Sequence, residues 1–141
     1  VVAGDGALRA VLAEQSRALG LRRCHFLGFR SDVPALLRAL DVFTLSSKLE
    51  GLGSSVMDAQ WCGLPVVATA AGGIPELVRD GVTGLLVPVG DAPALAAALR
   101  RVLGDADLRR RLGAAGRAAA DPAWTAARMV DEHTTLYAGL R

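Results

Sequence analysis

An open, parallel β-sheet covered by helices on both faces, followed by a C-terminal group of helices, is the architecture expected of this 141-residue chain. Three features point to it. Short apolar runs alternate with longer amphipathic segments as far as Asp91. The run Val66-Val67-Ala68-Thr69 is β-branched and carries no polar alternation, the pattern of a strand buried on both faces. Beyond Asp91 every periodic segment is helical. Strands separated by helices pair in parallel through right-handed crossovers. In such sheets ligands bind at the carboxyl ends of the strands.

Taken in order, Val1 to Ala3 reads as a strand ended by Gly4-Asp5-Gly6. Ala7 to Leu19 follows as a helix with Leu8, Val11, Leu12 and Leu19 near one face and Gly20 as its stop. Cys24 to Leu27 is a second strand. Asp32 is expected to cap a short helix whose inner face is Val33, Leu36, Leu37 and Leu40, with Pro34 tolerated in its first turn. Val42 to Leu45 is a third strand, and Ser54 to Cys62 a helix closed by Gly63. Pro65 leads into Val66 to Thr69; Pro75 opens a short helix that Gly81 ends; Leu85 to Val87 is the last strand. Asp91 caps a helix with Leu95, Leu99 and Val102 inward and Arg100 and Arg101 outward. Asp105 caps the next, with Leu108 and Leu112 inward. A final helix is expected from about Pro122 to Tyr137.

Composition narrows the function classes. A chain of this length can bury roughly 68% of its unfolded surface. Hydrophobic residues make up 52% of the sequence and charged ones 21%, which excludes a disordered tail. A net charge of +2 gives no electrostatic footprint for a nucleic-acid partner. Cys24 and Cys62 match no metal or redox spacing and are expected as buried free thiols. The longest uncharged stretch, Ala59 to Pro75, holds prolines and glycines that a membrane-spanning helix would lack. The sequence opens as if in mid-strand, so an excised piece of a longer protein is expected.

The loop with the most chemistry runs from Ser46 to Asp58, leaving a strand and entering a helix. Gly51 and Gly53 let the backbone approach a ligand. Ser54 and Ser55 then stand at the helix start, where free N–H groups and the positive end of the helix dipole form an anion site suited to a phosphate or diphosphate. Glu50 lies just before the glycines, and Asp58 follows Ser54 by one turn on the same face. Two carboxylates flanking a phosphate pocket can accept hydrogen bonds from sugar hydroxyls. The bland alternative is a helix cap, with Asp58 stabilising the first turn. The sequence's only lysine, Lys48, can pair with Glu50, contact phosphate or face water.

The segments Glu50-Gly51-Leu52-Gly53-Ser54-Ser55-Val56-Met57-Asp58-Ala59, Cys62-Gly63-Leu64-Pro65-Val66-Val67-Ala68-Thr69 and Gly72-Gly73-Ile74-Pro75-Glu76 together resemble the donor-binding half of retaining glycosyltransferases of family 4, which have the two-domain GT-B fold. Gly4-Asp5-Gly6, Phe26-Leu27-Gly28 and Asp80 to Val87 extend the resemblance over residues 1–141. It implies that Glu50, the catalytic residue of this half, touches donor-sugar hydroxyls. Asp58 stands where the family has a glutamate that holds the ribose hydroxyls, a departure of one methylene. The backbone at Leu52, Gly53, Ser54 and Ser55 matches the segment that cradles sugar and diphosphate, and Phe29 and Arg30 fall by position near the nucleobase.

The resemblance further implies a nucleotide sugar as substrate, no cofactor and no metal. The acceptor-binding N-terminal domain, the phosphate-binding Arg and Lys, and the central first strand of the sheet are absent from this sequence. That strand would sit between those beginning at Val1 and Val42, leaving either a closed-up sheet or an exposed gap prone to self-association. The expected setting is cytoplasmic, with peripheral membrane attachment and a glycolipid acceptor admitted. The isolated chain is expected to be inactive. Two other readings stand beside this one: a GT-B nucleotide-sugar epimerase, and a non-catalytic nucleotide-binding or assembly module.

Other motifs carry bland readings. Glu76 complements a helix dipole as well as it serves a ligand. Asp105-Ala106-Asp107 reads as a cap rather than a metal triplet. Arg109-Arg110-Arg111 reads as a solvated face, and Trp124 and Tyr137 as packing.

Overall fold

The computed structural model describes residues 1–123 and 125–140. The chain divides into two compact units, Val1–Val33 and Pro34–Arg141.

The first unit holds strand β1 (Val2–Ala3), helix α1 (Arg9–Ala18) and strand β2 (Phe26–Gly28). β1 and β2 pair in parallel, with Val2 opposite Phe26 and Ala3 opposite Gly28. A bond from the Gly4 N–H to the Gly28 carbonyl (2.8 Å) carries the pairing into the glycine turn. The leucines and valine expected to face a core do not: Leu8, Val11, Leu12 and Leu19 are all exposed. Helical periodicity marks the apolar side of α1, but no described segment covers that side.

Helix α2 (Val33–Arg38) begins at the end of the first unit. The second unit then runs β3 (Phe43–Leu45), α3 (Ser54–Trp61), β4 (Val66–Thr69), α4 (Ile74–Leu77), β5 (Gly84–Val87), α5 (Ala92–Gly104), α6 (Ala106–Ala123) and α7 (Ala126–Ala138). The three strands form a parallel sheet in the order β3-β4-β5. All pairings are parallel, as expected, but no described strand joins this sheet to β1-β2.

β4 is buried along its whole length. Val66 and Ala68 pack into one cluster with Leu37, Val56, Ala59, Ile74 and Leu77 from α2, α3 and α4. Val67 packs into a second cluster with Leu85, Val102, Leu108 and Leu112 from β5, α5 and α6. Successive side chains of a strand point to opposite faces, so one strand supplies both cores, each buried Val or Leu contributing roughly 1.5–3 kcal/mol. The caps on the far side form as expected: Asp91 accepts from the Ala94 N–H (2.8 Å) and Asp105 from the Leu108 N–H (2.9 Å). Asp107 instead pairs with Arg110. Arg109, expected in a solvated face, donates to the Leu103 carbonyl (2.6 Å) and closes the end of α5.

α6 lies close against the end of α3. A Cβ on Gly113 would stand 2.2 Å from the Gly63 carbonyl oxygen, and one on Gly116 would stand 3.2 Å from Gln60 Cγ. Gln60 is fully buried, and its Nε2 donates to the Leu77 carbonyl (3.2 Å), tying the end of α4 to α3.

Several expectations are corrected. The last helix begins at Ala126, not at Pro122: the Thr125 hydroxyl accepts from the Arg128 N–H (3.2 Å) and caps it, while Pro122 falls in the last turn of α6. Tyr137 is exposed, its ring edge-on to His133, rather than packed in a core. Trp124 lies outside the described residues. Cys24 and Cys62 are free but half-buried rather than buried. The Asp32 carboxylate is engaged by the Arg30 guanidinium instead of capping α2.

Candidate functional site

The carboxyl ends of β3 and β4 carry the loops of interest. The β3 loop runs through Ser46, Ser47, Lys48, Leu49 and Glu50 to Gly53; the β4 loop is Ala70 to Gly73. They interlock through backbone. The Gly73 N–H donates to the Gly51 carbonyl (3.0 Å). A Cβ on Gly72 would fall 1.7 Å from the Glu50 carbonyl oxygen, and one on Gly73 2.4 Å from the Gly51 oxygen. Only glycine fits at either position. Gly72-Gly73 is thus the seat on which Glu50 and Gly51 rest.

Gly53 occupies the left-handed region (φ +83°) and starts α3 directly. Gly53 is the N-cap residue, and no side chain hydrogen-bonds to this end of the helix. Ser54 and Ser55 are its first residues. The first N–H groups of a helix have no intrahelical partner, and the helix dipole makes that end positive. Asp58 lies one turn further on, exposed and without a side-chain partner among the described residues. Leu52 is half exposed at the outer edge of the turn.

Glu50 is half-buried. The Ser47 hydroxyl donates to its Oε1 (2.9 Å). Ser47 is itself held, because the buried Thr69 hydroxyl at the end of β4 donates to the Ser47 carbonyl (2.6 Å). Lys48 is exposed, and Glu50's described partner is Ser47 rather than this lysine. Glu76 is exposed in the first turn of α4, suiting the dipole there.

Phe29 and Arg30 stand in the first unit, just after β2. Phe29 is 82% exposed. Arg30 is bound on two nitrogens by Asp32, at 2.7 and 2.5 Å. That bidentate hydrogen bonding raises the guanidinium pKa and lowers that of the carboxylate. Also in this unit, a shallow cleft of about 240 Å³ opens beside Gly4, Asp5, Gly6 and Arg9. The Asp5 carboxylate there accepts from the Gly6 N–H (3.0 Å), within a turn that has no third glycine.

Sequence patterning located the loop, its glycines and both acids. It missed the link from Thr69 through Ser47 to Glu50. That link joins residues far apart in the chain, so no local spacing announces it.

With this geometry in view, the comparisons are direct. The family model described as Glycosyl transferases group 1 matches residues 1–119. The chain belongs to this family. It is 39% identical over 114 residues to a lipopolysaccharide core biosynthesis glycosyltransferase, LpsE, of Rhizobium meliloti, covering 80% of this chain and 34% of that one. It is 31% identical over 138 residues to the N-acetyl-alpha-D-glucosaminyl L-malate synthase of Bacillus anthracis, covering 97% of this chain and 36% of that one. Among solved structures, Anabaena HepE in complex with UDP superposes with a TM-score of 0.91 at 30% identity, over 97% of this chain and 40% of that one. The same protein in complex with UDP-glucose superposes with a TM-score of 0.89 at 32% identity. The chain therefore spans little more than a third of the curated relatives' length, and its fold is that of a GT-B glycosyltransferase segment. Among the described residues no helix is long and apolar enough to cross a membrane.

Proposed function

We propose that this chain is the donor-binding part of a retaining hexosyltransferase. It holds a nucleotide sugar while an acceptor hydroxyl, bound by another part of the protein, takes the sugar with its anomeric configuration kept. The observation that carries this reading is the glycine-built seam between the β3 and β4 loops. It seats Glu50 one short glycine turn ahead of a helix start that no side chain caps. Glu50 orients the sugar through its hydroxyls. The Leu52 and Gly53 backbone and the first amides of α3, at Ser54 and Ser55, receive the diphosphate. Asp58 accepts from the ribose, its missing methylene made up by a water. Preorganised donors aimed at the phosphate charge that grows as the sugar departs are worth several kcal/mol in such reactions. The donor is substrate rather than resident cofactor, and no metal is invoked.

Phe29 and Arg30 are assigned to the nucleobase on resemblance alone. Bound to Asp32 through Nε and Nη2, Arg30 still offers its Nη1 donors and the faces of its guanidinium. A UDP donor is favoured by the Anabaena relative seen with UDP and with UDP-glucose. On this reading the isolated chain transfers nothing, the acceptor being bound by another part of the protein.

Calorimetric titration with UDP, GDP and ADP tests the binding step: a response to at least one is expected, and none would leave a non-catalytic module as the better account. In the complete natural protein, Glu50→Ala is expected to abolish transfer, and normal turnover by that variant refutes the role given to Glu50.

A further inference from the structure

Glu50 is useful to a sugar only if its carboxylate is held still, and the structure contains a device for that which the loop sequence alone does not suggest. We infer that Ser47 and Thr69 are positioning residues that set the Glu50 carboxylate for the donor sugar. The inference rests on the donor-site reading above.

Three contacts make the device. Thr69, at the carboxyl end of the central strand β4, is buried among the core residues and cannot turn to water. Its hydroxyl donates to the Ser47 carbonyl at 2.6 Å, across the gap between adjacent strand ends. Ser47 donates its own hydroxyl to Glu50 Oε1 at 2.9 Å. Behind Glu50, the backbone of Gly72 approaches so closely that no side chain fits between them. Glu50 is therefore packed at its carbonyl against Gly72 of the β4 loop and hydrogen-bonded at one carboxylate oxygen by Ser47 of its own loop. Both contacts trace back to the end of β4, which carries Thr69 and leads into Gly72. A hydrogen bond to an ionised oxygen is roughly twice as strong as a neutral one, and it occupies Oε1. Oε2 remains to accept from a sugar hydroxyl. A freely rotating carboxylate would instead lose side-chain entropy on each binding event. The Thr69 hydroxyl has one proton, and the short bond directs it to Ser47 rather than to the Leu45 carbonyl at 3.5 Å.

The test separates sugar binding from nucleotide binding. In the complete natural protein, dissociation constants are measured for UDP-glucose against UDP, ADP-glucose against ADP, and GDP-mannose against GDP. The pair that binds tightest in the wild type is then followed in Ser47→Ala, Thr69→Val, Thr69→Ser, Glu50→Gln and the double variant Ser47→Ala/Glu50→Gln. Ser47→Ala is expected to weaken the nucleotide sugar about tenfold while the sugar-free nucleotide changes less than about twofold, the loss of one charge-assisted hydrogen bond. Thr69→Val should follow it and Thr69→Ser should restore the wild-type value. The double variant should bind no more weakly than Glu50→Gln alone, because the serine acts only through the acid.

A Ser47→Ala protein that loses affinity equally for nucleotide and nucleotide sugar has only been loosened, and the inference fails. It fails also if the double variant adds the two losses in full. If Glu50→Gln itself leaves nucleotide-sugar binding and turnover unchanged, or if no pair binds, it is the donor-site reading that falls, and the positioning role falls with it.

Discussion

At Gly72 one methyl group decides whether the site closes. A Cβ there would fall 1.7 Å from the Glu50 carbonyl, at a backbone angle (φ +51°) that side chains other than glycine's rarely adopt. Gly72→Ala must push the Glu50 loop outward, and overpacking of this kind costs about 1–3 kcal/mol. Urea denaturation should show that loss, together with weakened nucleotide-sugar binding; a variant of wild-type stability would mean the loops are not interlocked as described. Arg30 and Asp32 are tied to each other at the surface. Bonding to Arg30 lowers the Asp32 pKa in the folded state, so the stabilisation it brings is present above the unfolded carboxylate's pKa and is lost as pH falls through the folded one. An NMR titration of Asp32 should place it below the ordinary aspartate range, and Arg30→Gln should return it there. An unchanged midpoint in Arg30→Gln would remove the guanidinium as the cause.

Among the elements, α6 is the one most restricted in where it can lie. Gly113 lets it sit on the turn after α3, with no room for a Cβ beside the Gly63 carbonyl. Gly113→Val is expected to destabilise the chain by about 1–3 kcal/mol, read as a lower urea midpoint with unchanged slope. An unchanged midpoint would show that α6 can slide. On the preceding helix, Asp91→Ala removes the side chain that accepts from the Ala94 N–H and should cost about 1 kcal/mol. Gly113 meets the end of α3 and Asp91 the start of α5, not the β3 loop itself, so donor binding measured far below the melting temperature should persist. Elements were largely legible beforehand because their signals are local. Asp91 and Asp105 announce their caps, Val66 to Thr69 announces a doubly covered strand, and Gly53 announces a turn into a helix. The boundary near Pro122 was not legible, since a proline marks a helix start as readily as it falls near a helix end; the Thr125 hydroxyl sets the start of α7.

Across the whole molecule, order is unevenly shared. Both hydrophobic clusters lie in the second unit around β4, whereas in the first unit the α1 stripe of Leu8, Val11 and Leu12 faces outward. Amide hydrogen exchange should therefore be slowest in β4 and fastest in β1, α1 and the exposed α7, with protection following burial. Equal protection in α1 and β4 would mean that the stripe finds cover in solution. The sequence by itself determined the alternation of strands and helices, the parallel pairing, the glycine turn with Glu50 before it and Asp58 beyond it, and the glycosyltransferase resemblance, because each is written in spacing along a few neighbouring residues. Only the tertiary structure decided that Gly72 seats Glu50, that Thr69 and Ser47 grip it, that Arg30 is held by Asp32, and that the α1 stripe lies bare. Those outcomes depend on which distant segments meet, and periodicity can mark a face as apolar without naming what will cover it.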